Sequence, residues 1–240
     1  MNLPKINAPI YEIELPISKK KIKYRPFTVK EQKILLMAVE NEESIFTQNN
    51  IKQILSNCSI EDINIDFLPI IDVEYFFINL RARSVGEEIE TKYRCENELD
   101  DGTICGNLME VKYDLLSIKP EEQEYTDTIQ LTQTIGVKLT QPSYSVLEKI
   151  KTSKNMSELT FDFIISCMEY IYDTDSVYHT NEYKKEEMYE FLESLSVEQF
   201  KMIENYFTRM PKMQKKLDIK CSKCGFEHKI VIEGLENFFG

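Results

Sequence analysis

Six cysteines are the residues of this chain best suited to chemistry, and their spacing sorts them into two kinds. Cys221-Ser222-Lys223-Cys224-Gly225-Phe226 lies between the alternating runs Leu217-x-Ile219 and Ile230-Val231-Ile232. A two-residue gap on a tight turn lets both thiolates face one ion about 2.3 Å away, the layout of a zinc knuckle. Gly225 can take the left-handed conformation that closes such a turn. A knuckle supplies two ligands, and structural zinc takes four. Cys95 and Cys105, on a longer loop and again followed by glycine (Gly106), offer the other two. The simplest solution is one tetrahedral site of Cys95, Cys105, Cys221 and Cys224 holding a structural zinc ion, with the binding energy acting as folding energy. Reduced thiols without metal remain an alternative, as do a disulfide and a redox pair. A C-x-x-C that leads into a strand lacks the strand-to-helix setting of a redox motif, and reducing compartments keep thiols apart. His228 could replace a cysteine as a ligand, but four thiols already complete a site, so it is expected on the hairpin surface. Cys58 and Cys167 stand alone in apolar helical patterns and read as small buried hydrophobes.

No catalytic set accompanies them. The chain has two histidines, His179 and His228, and no tryptophan. It carries no phosphate-binding glycine loop, dinucleotide fingerprint or nucleophile elbow. The acidic clusters at Glu40–Glu43, Asp100-Asp101, Glu121-Glu122 and Glu186-Glu187 read as solvated faces. The expectation is a protein that is not an enzyme. With 240 residues, 42% hydrophobic, the chain can bury a sizeable core. Seven glycines and eight prolines argue against a loop-rich or disordered chain. A net charge of −12 opposes phosphate backbones unless a local basic patch overrides it. The densest basic run, Lys19-Lys20-Lys21 with Lys23 and Arg25, alternates with Ile22 and Tyr24 and reads as the wet face of a strand. No apolar run approaches the roughly 18 residues of a membrane span. The start lacks a signal layout, so the chain is expected to stay in the cytosol where it is made.

Elements must bring the four cysteines together. Ile10–Leu15 and Ile22–Pro26 read as a hairpin, and Thr28-x-x-Glu31 as a capping box opening a helix. A second helix is expected from about Glu43 to Cys58. A third runs from Val73 to Ser84, capped by Asp72 and ended by Gly86. Ile89–Cys95 and Leu108–Tyr113 alternate as strands on either side of the first cysteine loop. The order then repeats. Ile129–Leu131 and Val137–Leu139 make a hairpin, and Ser145-x-x-Glu148 is a second capping box. An apolar helix is expected over Glu158–Tyr172, another over Lys184–Leu195, and a last one opening at Ser196. The strands around Cys221 and Cys224 close the chain.

Matching features recur at roughly half the chain length. This predicts an α+β fold of two similar halves by internal duplication, each a small antiparallel sheet with flanking helices, joined at a zinc-ribbon-like knot. The halves are residues 1–118, with the Cys95/Cys105 knuckle, and residues 119–240, with the Cys221/Cys224 knuckle. Two unrelated segments sharing common caps and turns are the alternative. Tyr75, Phe76 and Phe77 in one half, and Tyr189, Phe191, Phe200, Tyr206 and Phe207 in the other, exceed what one buried stripe needs, so some are expected on the surface.

The run Leu15-Pro16-Ile17-Ser18-Lys19-Lys20-Lys21-Ile22-Lys23-Tyr24-Arg25-Pro26-Phe27-Thr28-Val29-Lys30-Glu31-Gln32-Lys33-Ile34-Leu35-Leu36 resembles the start of the baseplate protein family of T-even-type contractile-tailed phages, the hub subunit group. Leu68-Pro69-x-x-Asp72-Val73-Glu74-Tyr75, Leu80–Glu87, Ile135-Gly136-Val137 and the late Cys-x-x-Cys-Gly agree with it. The resemblance covers most of the chain and is strongest over residues 10–95. It implies a structural or assembly component of the baseplate hub that acts by protein–protein binding. Its partners would be other baseplate and tail proteins, with no nucleic acid and no membrane. Its location would be the virion tail baseplate, and the host cytoplasm during assembly. No catalytic or cofactor-binding residues come with the resemblance, and the zinc assignment rests on spacing. The alternative function is a zinc-ribbon nucleic-acid-binding or transcription-linked protein, for which Lys212, Lys215, Lys216, Lys220 and Lys223 are the candidate contacts.

Overall fold

Alternation in Tyr11–Glu14 (β1) and Lys21–Tyr24 (β2) produces the first hairpin, with Ile13 opposite Ile22. In β2 the lysines point to solvent while Ile22 and Tyr24 are buried, as the basic run predicts. The computed structural model describes residues 6–40, 48–121, 126–147 and 156–235. Among them, small antiparallel sheets combine with six α-helices.

The chain divides into two compact units. The first holds the N-terminal segment through Ile65, Ile71–Glu121, and the C-terminal segment from Lys212. Hairpin β1–β2 is pinned to the end of helix α2 (Gln48–Cys58): the Arg25 amide donates to Cys58 O and the Ile60 amide to Lys23 O. Helix α1 (Val29–Glu40) opens with the expected cap. The Lys30 amide donates to Thr28 Oγ1 at 3.3 Å, and the Thr28 amide to Glu31 Oε2 at 2.8 Å. Glu31 is fully buried and meets Arg25 through two hydrogen bonds of 3.0 and 3.2 Å. The segment 41–47, where the second helix is expected to begin, lies outside the described residues.

Helix α3 (Ile70–Val85) starts before Asp72, so Asp72 does not cap it. Instead the buried carboxylate accepts the amides of Ile17 at 2.8 Å and Ser18 at 2.9 Å, in the turn of the first hairpin. That turn also holds Lys19 at φ 56°, a left-handed conformation uncommon outside glycine. Two orphan donors and a strained turn recruit the side chain more strongly than the helix end does. The rings of α3 turn inward: Phe76 and Phe77 are buried and Tyr75 is half-buried.

Strands β3 (Glu88–Arg94) and β4 (Leu108–Asp114) form the second hairpin. Short strand β5 (Lys119–Pro120) joins the third, made of β10 (Met213–Lys220) and β11 (Glu227–Glu233), in the order β11–β10–β5.

The second unit is Asp66–Ile70 with the stretch up to Pro211. Its four-stranded sheet runs β6 (Thr128–Gln130), β7 (Gly136–Leu139), β8 (Met168–Tyr172) and β9 (Val177–His179). The helix expected over Glu158–Tyr172 stops early. Helix α4 is Met156–Ser166, and residues 168–172 pair with β7 and β9 instead. Met-Glu-Tyr-Ile-Tyr is a short run of mixed period, and β7 offers it an open edge, which local periodicity cannot register. Helices α5 (Lys185–Glu193) and α6 (Val197–Thr208) follow. Ser196 caps α6 in a full box with Gln199, as expected. Ile129, Val137, Leu139, Ile164, Leu192 and Ile203 share one core in this unit. Tyr206 is buried, and Tyr189, Phe191, Phe200 and Phe207 are half-buried. None of these rings is fully exposed, and four of the five keep part of their surface open to solvent. The second capping box rests on Glu148, outside the described residues.

Candidate metal centre

Two hairpins, β3–β4 and β10–β11, end in the same turn chemistry. Each outgoing strand stops one residue before a cysteine, Cys95 or Cys221. Each return strand starts two residues after a cysteine-glycine pair, Cys105-Gly106 or Cys224-Gly225. The first cysteine's amide donates to the residue after the glycine: Cys95 to Asn107 O and Cys221 to Phe226 O, both at 2.8 Å. The glycine's amide returns to the first cysteine's carbonyl, Gly106 to Cys95 at 3.0 Å and Gly225 to Cys221 at 2.9 Å. Both glycines sit at positive φ, +64° and +75°, where a side chain would strain the turn. The longer first loop accommodates its extra residues in a nested turn, closed by the Leu99 amide on Thr103 O and the Cys105 amide on Asn97 O.

These turns place the four sulfurs of Cys95, Cys105, Cys221 and Cys224 within 4.8 Å of one another. Across the hairpins, Cys95 Sγ is 3.6 Å from Cys224 Sγ, and Cys105 Sγ is 3.8 Å from Cys221 Sγ. A tetrahedron with bonds of about 2.3 Å has edges of roughly 3.8 Å, so the donor set fits a four-coordinate metal ion. Cys95, Cys105 and Cys221 are buried with Met109, and Cys224 is half-buried. Cys58 and Cys167 lie apart from this cluster and fully buried, as expected. Burial pushes both thiols up to about 12.

The surroundings favour thiolate at Cys221 and oppose it at Cys95. The amide of Cys224 leads the effects on Cys221, with those of Lys223 and Asn107 Nδ2 adding to it. Against the opposing effect of burial they hold this thiol down at about 6. Cys95 is pushed up to about 12, first by burial and then by the three neighbouring thiols, with the Asn97 amide opposing. Four thiols crowded without a cation resist collective ionisation. A divalent ion held by the four sulfurs would reverse that balance.

Three side chains outside the expected ligand set touch the sulfurs. Asn107 Nδ2 donates to Cys221 Sγ at 3.5 Å, and Asn97 Nδ2 faces Cys224 Sγ at 3.8 Å. His228 is not on the surface. It is 8% exposed, with Nε2 3.1 Å from Cys95 Sγ and its ring edge-on to Tyr93 and Phe226. Strand parity held the signal: 228, 230 and 232 share the inward face of β11. Lys223 reaches across to Cys105 O at 3.2 Å.

Three of the other four candidate lysines are engaged nearby. Lys216 pairs with Glu121, Lys220 lies 3.7 Å from Glu227, and Lys215 bonds Ser117 Oγ. No helix among the described residues is long and apolar enough to cross a membrane.

A family described as T4 bacteriophage base plate protein matches residues 8–240. The baseplate hub assembly protein gp26 of Enterobacteria phage T4 is 27% identical over 237 residues, covering 95% of this chain and 97% of the relative. No solved structure matches the chain.

Proposed function

The chain belongs to the T4 bacteriophage base plate protein family, and from that premise we propose that it is a structural or assembly component of the baseplate hub of a contractile-tailed phage, acting by protein–protein binding. The observation that carries this reading is the match along nearly the whole chain, together with a relative of almost equal length named for hub assembly. Its partners are other baseplate and tail proteins. Its location is the tail baseplate, with assembly in the host cytoplasm.

In this reading the cysteine cluster holds one structural zinc ion through Cys95, Cys105, Cys221 and Cys224. When bound, the ion supplies a fourfold cross-link and neutralises two of four thiolate charges. The chain's own part is to orient the sulfurs by the two knuckle turns and to donate to them from Asn97, Asn107 and His228. A closed four-thiolate site leaves no open position for a substrate, which supports a non-enzymatic role.

Descent from a duplicated half, 1–118 and 119–240, is part of the same proposal. The shared closing bonds of the two knuckles support it. The sheets do not repeat strand for strand: hairpin β1–β2 stands alone, whereas β6–β7 continues into β8 and β9.

Deletion of the gene from its phage tests the functional reading. The expected result is heads without complete contractile tails, at normal levels of phage DNA. Normal tails with a defect in replication or late transcription would overturn it in favour of a nucleic-acid-binding role. The pairing of Lys216 with Glu121 and of Lys220 with Glu227 weighs against that second reading.

A further inference from the structure

A cleft of about 360 Å³ lies in the second unit, beside the sheet and helix α5. Its walls are aromatic and its rim is acidic. Tyr178 and Tyr183 meet edge to face, with centroids 6.4 Å apart at 64°, and Phe191 lines the same space. Buried Met188 lies beneath. Asp173, Glu187 and Glu190 bring three carboxylates to this apolar surface.

Asp173 and Glu187 are held in place by hydrogen bonds rather than by countercharges. Asp173 Oδ1 accepts the amides of Asp175 and Ser176, both at 2.8 Å, and Oδ2 accepts the Tyr178 hydroxyl at 2.7 Å. Glu187 Oε2 accepts the Lys184 amide at 2.9 Å. Among the described residues none of the three joins an ion pair. Lys185, on the same helix, is committed to Asp162 and to the face of Tyr189.

We propose that this cleft binds an arginine side chain, presented on an apolar segment of a partner protein. The inference rests on the reading of the chain as a protein-binding baseplate component and names the chemistry its partner must carry. A neutral apolar occupant would strip water from three carboxylates and return nothing to them. A free anion is repelled. A cation on an aliphatic stem satisfies both features, lying against the rings while its charge meets the rim. Arginine suits better than lysine, because its planar guanidinium stacks on aromatic faces and serves two carboxylates at once. The volume is at the lower end for ligand pockets, which suits one anchoring side chain with apolar flanks.

The test is a titration of the full chain, isotope-labelled at tyrosine, followed by NMR. The probes are the N-acetyl methylamides of arginine, lysine and norleucine. The expected result is saturable shifts at Tyr178 and Tyr183 with the arginine probe, in the millimolar range typical of a single side chain. Norleucine should bind about tenfold more weakly and lysine in between. Glu187→Gln with Glu190→Gln should weaken arginine binding about fivefold or more while leaving norleucine unchanged. Norleucine binding as tightly as arginine would overturn the proposal in favour of an apolar occupant. So would lysine binding more tightly, or no saturable shift with any probe. Each of these outcomes leaves the tail phenotype of the gene deletion intact, so failure here is distinguishable from failure of the baseplate reading.

Discussion

His228 Nε2 lies 3.1 Å from Cys95 Sγ, across 133 residues of sequence and between two hairpins. A buried ring nitrogen beside a buried sulfur is a directed contact, since either group alone would leave a polar atom without a partner. Substitution separates its hydrogen bond from its packing. His228→Phe keeps a ring against Tyr93 and Phe226 but donates nothing. It should retain the metal and make Cys95 the most readily alkylated of the four thiols, with metal transfer to a chromophoric chelator accelerated about tenfold. His228→Gln, which can still donate, should recover part of the difference. Equal alkylation and release rates in all three proteins would reduce His228 to packing.

The purified protein should contain about one zinc per chain. Serine at Cys95, Cys105, Cys221 or Cys224 should each lower metal content and cost several kcal/mol of stability, because each removes a ligand from a site coupled to folding. Cys58→Ser and Cys167→Ser should leave metal content unchanged. Metal analysis with thiol titration reads all six. A native protein with no zinc and four freely titrating thiols would sink the assignment.

Glu31 gives a stability change with pH. Burial raises its pKa, but hydrogen bonds from Arg25 and Thr28 outweigh burial and hold it at about 2 against an ordinary 4.5. The folded value is depressed, so the stabilisation is fully present above pH about 4.5 and is lost as pH falls toward 2. Its size is about 3 kcal/mol. Glu31→Gln should lower stability at pH 7 by about 2–4 kcal/mol, because it leaves Arg25 partly buried without its countercharge. The mutant's denaturation midpoint should converge on the parent's near pH 2. A constant gap between them from pH 7 to pH 2 would contradict the sign.

Asp72→Asn should destabilise more than a surface change. One oxygen can still accept from Ile17 or Ser18, but the other becomes an amine facing a donor. The cost should be about 2–3 kcal/mol, since charge-assisted bonds to buried amides are among the stronger ones. Hydrogen exchange at Ile17 and Ser18 should accelerate while the amides of α6 stay protected. Unchanged exchange at both amides would remove Asp72 from this role.

The sequence alone determined what depends on near neighbours. Hairpins β1–β2, β3–β4 and β10–β11, the caps at Thr28 and Ser196, the turn glycines Gly106 and Gly225, and the grouping of four cysteines apart from Cys58 and Cys167 all follow from period, spacing and residue type. Tertiary structure decided the rest, because the deciding partner lies far along the chain. Residues 168–172 became a strand because β7 offered an edge. Asp72 abandoned the start of its own helix for two amides more than fifty residues away. His228 turned inward because β11 packs its even-numbered face toward the cysteine cluster. A local pattern fixes which conformations are cheap. Only the assembled fold supplies the unpaired donor, open edge or buried sulfur that selects among them.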